Sequence, residues 1–81
     1  MITKKDVSFI TEKITRRFEI ELPLEVENFS LEDENLYIQF KQDEIVRSFE
    51  LSKGLIVEFD KESKIIGLKV NSFGDFLPKE S

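Results

Sequence analysis

Between Gly54 and Val70 the chain runs Leu55-Ile-Val-Glu-Phe59, then Asp60-Lys-Glu-Ser63, then Lys64-Ile-Ile-Gly-Leu-Lys-Val70. Leu55, Val57 and Phe59 recur at every second position, as do Ile66, Leu68 and Val70. This is the period of a strand with one buried face. Two such runs joined by a polar tetrad specify a β-hairpin, and Ser63 falls where a four-residue turn favours a left-handed residue such as Gly. Serine there should cost about 1 kcal/mol. A hairpin is architecture, however, and carries no chemistry of its own.

The hairpin must belong to a small fold. The chain has 81 residues, a size at which folding buries only about 60% of the unfolded surface. With 40% hydrophobic residues, eight Phe and 36% charged residues, the composition is that of one globular domain, residues 1–81. There is no Cys and no His. Disulfides, thiolate nucleophiles and Cys or His metal sites are therefore excluded, along with the side chain most often used as a general base near neutral pH. No apolar run approaches the 18 residues of a membrane span, and charges interrupt Met1 to Ile10 too often for a secretory segment, so a cytoplasmic location is expected.

Upstream, Thr3 with Asp6 forms a capping-box pattern, and Val7, Ile10, Ile14 and Phe18 recur at spacings of three or four, predicting a helix over about 4–17. Ile2 and Phe9 fall on the opposite side of that wheel. Pro23 makes 19–26 a connection or an edge strand. Leu36-Tyr-Ile-Gln-Phe40 alternates after the polar turn Glu32-Asp-Glu-Asn35, and a short strand near 26–31 would complete a first hairpin. Ile45 to Leu51 continues the series, and Ser52-Lys-Gly54 returns the chain into Leu55. The expectation is an α+β fold, an N-terminal helix packed on an antiparallel β-meander of four to five strands over about 26–71, with a tail at 72–81.

Sorting strand residues by parity predicts a core face of Leu36, Ile38, Phe40, Phe49, Leu51, Leu55, Val57, Phe59, Ile66, Leu68 and Val70, covered by the helix. The opposite face retains Tyr37, Val46, Ile56 and Ile65 among polar neighbours, an apolar island that one helix cannot also cover. Phe73, Phe76 and Leu77 in the tail are the remaining apolar groups. Either the tail folds over the second face or a second copy does, and a homodimer is expected because so small a core gains from added burial. With the exposed Phe9, these residues form the candidate interface.

Charge is segregated. Residues 1–17 carry a net +3, from Lys4, Lys5, Lys13, Arg16 and Arg17 against Asp6 and Glu12, and the remainder sums to −8. Residues 18–35 hold seven acids and no base. Of these Glu25, Glu27, Glu32, Asp33 and Glu34 form a candidate surface for a cationic partner, the alternative being a solvated edge that simply stays exposed. The basic helix could instead follow a nucleic-acid backbone, as in a structural or DNA-associated accessory protein. Its cations spread around the polar arc without a reading edge, so pairing with the acidic segment is the simpler expectation and nucleic acid is disfavoured. Neither a phosphate-cradling glycine cluster nor a calcium-loop pattern occurs, and Glu58 with Asp60 are same-face neighbours on one strand. No catalytic, metal or cofactor residue is expected, and the chain reads as non-enzymatic.

Asn35-Leu-Tyr-Ile-Gln-Phe40, the acidic stretch before it, and Gly54 to Val70 together resemble a family of small prokaryotic proteins, domain of unknown function 2283. Its members typically read Y-D-x-x-x-D-x-L-Y-I and then G-V-x-V-D-Y-D-x-x-G-x-x-V-G-I-E-I. The resemblance covers about residues 29–72. Phe29-Ser30 stands where the family has Tyr-Asp, Glu34 replaces its second Asp, and Ser63 replaces the turn Gly. Those departures read the acids of the first hairpin as turn and strand-end residues, not ligands. The resemblance implies an acidic antitoxin-like role, neutralising a small basic toxin-like protein encoded nearby.

Overall fold

The computed structural model describes residues 2–76. Helix α1 (Lys4–Phe18) is followed by strands β1 (Asn28–Glu32), β2 (Asn35–Gln39), β3 (Arg47–Ser52), β4 (Leu55–Phe59) and β5 (Ile65–Val70), and by a 3₁₀ turn, η1 (Phe73–Phe76). The fold is α+β, one N-terminal helix with a five-stranded antiparallel sheet. Among the described residues no helix is long and apolar enough to cross a membrane.

The capping box forms as the sequence predicts. The Thr3 hydroxyl accepts from the Asp6 N–H at 3.2 Å, and the Asp6 carboxylate accepts from the Thr3 N–H at 2.9 Å, so two otherwise orphaned donors are satisfied. Val7, Ile10 and Ile14 are fully buried. Ile2 departs from the helical wheel because it precedes the cap. It packs against the cluster containing Val7, the arrangement of a hydrophobic staple. The helix ends at Glu19, which takes a left-handed conformation at φ 53°.

The sheet order is β1-β2-β5-β4-β3, so the chain is not a meander throughout. β2 pairs with β5, and residues 40–46 carry the chain past two strands to the far edge before β3, β4 and β5 follow by hairpins. This is a Greek-key connection. Burial explains the order. Leu36, Ile38, Leu55, Val57, Leu68 and Val70 are all essentially buried, and strands with that content belong in the middle. β3 offers only Phe49 and Leu51 among polar residues and sits at an edge.

The core joins the helix stripe to Leu36, Ile38, Phe40, Leu55, Val57, Leu68, Val70 and Phe76. Two sequence assignments are corrected. Phe49 lies opposite Val57 and shares its face, yet it is 58% exposed because the edge strand extends beyond the packed core. Ile66 is buried but outside the core cluster, while Ile65 packs against that cluster. A register shift between Glu58 and Phe59 sets Ile65 opposite Phe59, and this bulge breaks the parity on which the assignment rested.

Candidate functional site

Side chains from three neighbouring strands meet on the sheet face away from the helix. Tyr37 on β2 and Glu58 on β4 are both in register with β5, Tyr37 with Lys69 and Glu58 with Gly67. The Tyr37 hydroxyl donates to Glu58 Oε1 at 2.8 Å, and Lys69 Nζ lies 3.7 Å from Glu58 Oε2. Gly67 lies beneath this bond. A Cβ there would collide with Glu58 Oε1 and stand 2.9 Å from the Tyr37 hydroxyl, so glycine lets the side chains of β2 and β4 meet over β5 without displacement. Burial, reinforced by the hydrogen bond and charge of Glu58, raises the Tyr37 phenol to about 12. The result is a polar clasp across three strands.

Asp60 is the second buried acid, 2% exposed. Its Oδ1 accepts from the backbone N–H groups of Glu62 and Lys64, each at 2.9 Å, closing the β4–β5 turn. The Lys64 N–H foremost, then the Glu62 N–H and the Lys41 and Lys64 charges, outweigh burial and hold the carboxyl below its ordinary range. Ser63 adopts φ 63° in the same turn, the left-handed conformation expected from the sequence. Glu58 and Asp60 are thus each occupied by local partners.

The candidate interface does not form one patch. Tyr37 belongs to the clasp. Ile56 is half-buried, in register with Lys69 on one side and Glu50 on the other. Ile65 and Phe73 pack against the core, and Phe76 is part of it, 8% exposed, with the Arg17 guanidinium 5.7 Å from its ring. Since η1 packs on α1, this part of the tail completes the helix side and does not cover the second face. Leu77 lies outside the described residues. Phe9 and Val46 remain exposed, at 40% and 53%. Exposed apolar groups outside the candidate interface are Leu24, Leu31, Ile45 and Phe49; the signal for Phe49 is that its strand carries Arg47, Ser48 and Glu50 around it.

The acidic candidates are placed differently. Glu25 and Glu27 lead into edge strand β1, and Glu32, Asp33 and Glu34 form its hairpin end, with Asp33 at φ 56°. All five are exposed. None makes an ion pair with a described residue: the described pairs are Arg16–Glu12, Lys41–Asp43, Lys64–Glu62 and Lys69–Glu58. The expected pairing of the basic helix with this segment is therefore not formed among the described residues of one protomer. Arg16 engages Glu12 at 2.9 Å, Lys13 lies 5.8 Å from the Phe9 ring centre, and Arg17 is over Phe76. Among the described residues no three acidic side chains converge to hold a cation.

No curated protein and no solved structure matches the chain. A family model does match, over residues 31–72 of 81, the span containing the first hairpin turn, the clasp and the β4–β5 turn. On that match the chain belongs to the family described as "Protein of unknown function (DUF2283)".

Proposed function

We propose that this protein is a non-catalytic interaction module that works as a homodimer and takes a small basic protein on its acidic edge. The observation that carries the reading is the band Glu25, Glu27, Glu32, Asp33 and Glu34, exposed along one edge of the sheet with no intramolecular ion pair among the described residues. Unpaired carboxylates on one edge make a field that steers and orients a cationic partner. Contact needs no converging constellation of reactive groups, and the buried acids Glu58 and Asp60 are accounted for by the clasp and the turn. A small basic toxin-like protein, the partner suggested by the family resemblance, has the complementary charge.

The test is capture from extract of the native host on immobilised protein. The expected result is retention of a small basic protein at low salt and its release at high salt. The control is a variant neutralised by E25Q, E27Q, E32Q, D33N and E34Q, which should retain none. Equal retention by that variant would overturn the reading.

A further inference from the structure

The two edges of the sheet differ in kind. The β1 edge carries the acidic band, a common defence against edge-to-edge pairing. The β3 edge has no such protection: Ile45, Val46 and Phe49 are 47%, 53% and 58% exposed, and residues 45–52 carry only Arg47 and Glu50, net zero.

The backbone direction of β3 follows from the register. The Asn71 N–H donates to the Gly54 carbonyl at 2.7 Å, continuing the ladder in which Leu55 opposes Val70. Gly54 therefore points toward β5, as do Ile56 and Glu58 by alternation, and Leu55 and Val57 point toward β3. Phe49, opposite Val57, turns its N–H and C=O inward to β4. Ser48 and Glu50 turn theirs out to solvent, and no described residue outside the strand bonds to them.

We propose that β3 pairs antiparallel with β3 of a second copy, with the two Phe49 residues facing each other on the two-fold axis. This rests on the dimeric part of the function proposed above and names its surface. In this register Ser48 of each chain opposes Glu50 of the other, and all four outward groups of each strand, two N–H and two C=O, are satisfied. Shifting the axis to Ser48 would set Glu50 against Val46, whose N–H is already given to the Phe59 carbonyl at 3.0 Å. Phe49 with its copy becomes a non-hydrogen-bonded cross-strand pair, the closer kind, with Cα atoms about 4.5 Å apart. The aromatic rings then cover each other on the helix side. Electrostatics permit this occupant, because the acidic edge is four strands away, roughly 19 Å at about 4.8 Å per strand, and the screening length is about 8 Å at physiological salt. A neutral strand with a central aromatic fits this edge, and the chain's own β3 is such a strand.

The chain has no native cysteine, so single cysteines report on the pairing. Sedimentation equilibrium of the full chain should give twice the 9.5 kDa chain mass. Phe49→Cys should cross-link on mild oxidation and separate on reduction. Glu50→Cys should not, since its copies would be diagonal, about 7–8 Å apart and too far for a disulfide. Phe49→Lys should reduce the mass to that of one chain with an unchanged far-ultraviolet circular dichroism spectrum, while Leu31→Lys on the opposite edge stays at twice the mass. A single-chain mass for the unmodified protein would overturn dimerisation itself. A doubled mass that survives Phe49→Lys, or cross-linking at Glu50 in preference to Phe49, would leave the dimer standing and overturn pairing through β3.

Discussion

Gly67 shows how a single residue can be fixed by what passes above it. Its absent side chain lets Tyr37 and Glu58 join strands that are not neighbours. Gly67→Ala should destabilise the fold by about 1–3 kcal/mol through overpacking, and Tyr37→Phe by about 1 kcal/mol through the lost hydrogen bond. The two costs are not additive. Without the hydroxyl part of the clash disappears, so Gly67→Ala should cost less when Tyr37→Phe is already in place, by at least about 0.5 kcal/mol in a denaturant double-mutant cycle. Equal costs in both backgrounds would contradict the clasp. Its pH dependence has a definite sign. The phenol is raised from the ordinary 10.0 to about 12 in the fold, so the folded state holds this proton more tightly. The associated stability is complete below pH 10 and lost as pH rises toward 12. Tyr37→Phe should abolish that portion of the alkaline decline, measured by urea midpoints across the range. Alternation placed Tyr37 on the outer face, but the clasp was not legible, because its partner lies 21 residues away across an intervening strand.

At the scale of elements, the sequence specified those whose information is local. The α1 cap is a contact between residues three apart, and Thr3→Ala should lower stability by about 1 kcal/mol. In the β4–β5 turn Ser63 is left-handed as its position requires. Ser63→Gly should raise stability by about 0.5–1 kcal/mol, read as a higher denaturant midpoint with an unchanged slope; the Arg47 bond to the Ser63 hydroxyl is exposed and contributes little. Strand order was not local information. Lys41-Gln-Asp-Glu44 could have turned as tightly as the tetrad at residue 60, and what directs the chain to the far edge is competition among strands for central burial. The bulge at Phe59 was equally invisible, since it exchanges the roles of Ile65 and Ile66 without altering composition.

For the whole molecule, charge segregation was visible in the sequence but its outcome was not. The basic helix and the acidic band do not neutralise each other among the described residues; Arg16 pairs with Glu12, Lys13 and Arg17 lie over the Phe9 and Phe76 rings, and the band is left facing solvent. The expected surplus of apolar surface is real but lies elsewhere. The second face is largely polar around Ile56, and the exposed groups are Phe9 on the helix, Leu24 in the connection that follows it, Leu31 on edge strand β1, and Ile45, Val46 and Phe49 at the β3 edge.

On the function proposed above, the acidic edge serves contact and not folding. The most direct measurement follows thermal melting and partner binding together in the variant neutralised by E25Q, E27Q, E32Q, D33N and E34Q. The expected result is a melting temperature unchanged or higher, from relief of repulsion among unpaired carboxylates, with binding of the basic partner lost. A melting temperature lowered by several degrees with binding intact would show that these carboxylates support the fold, and would contradict it.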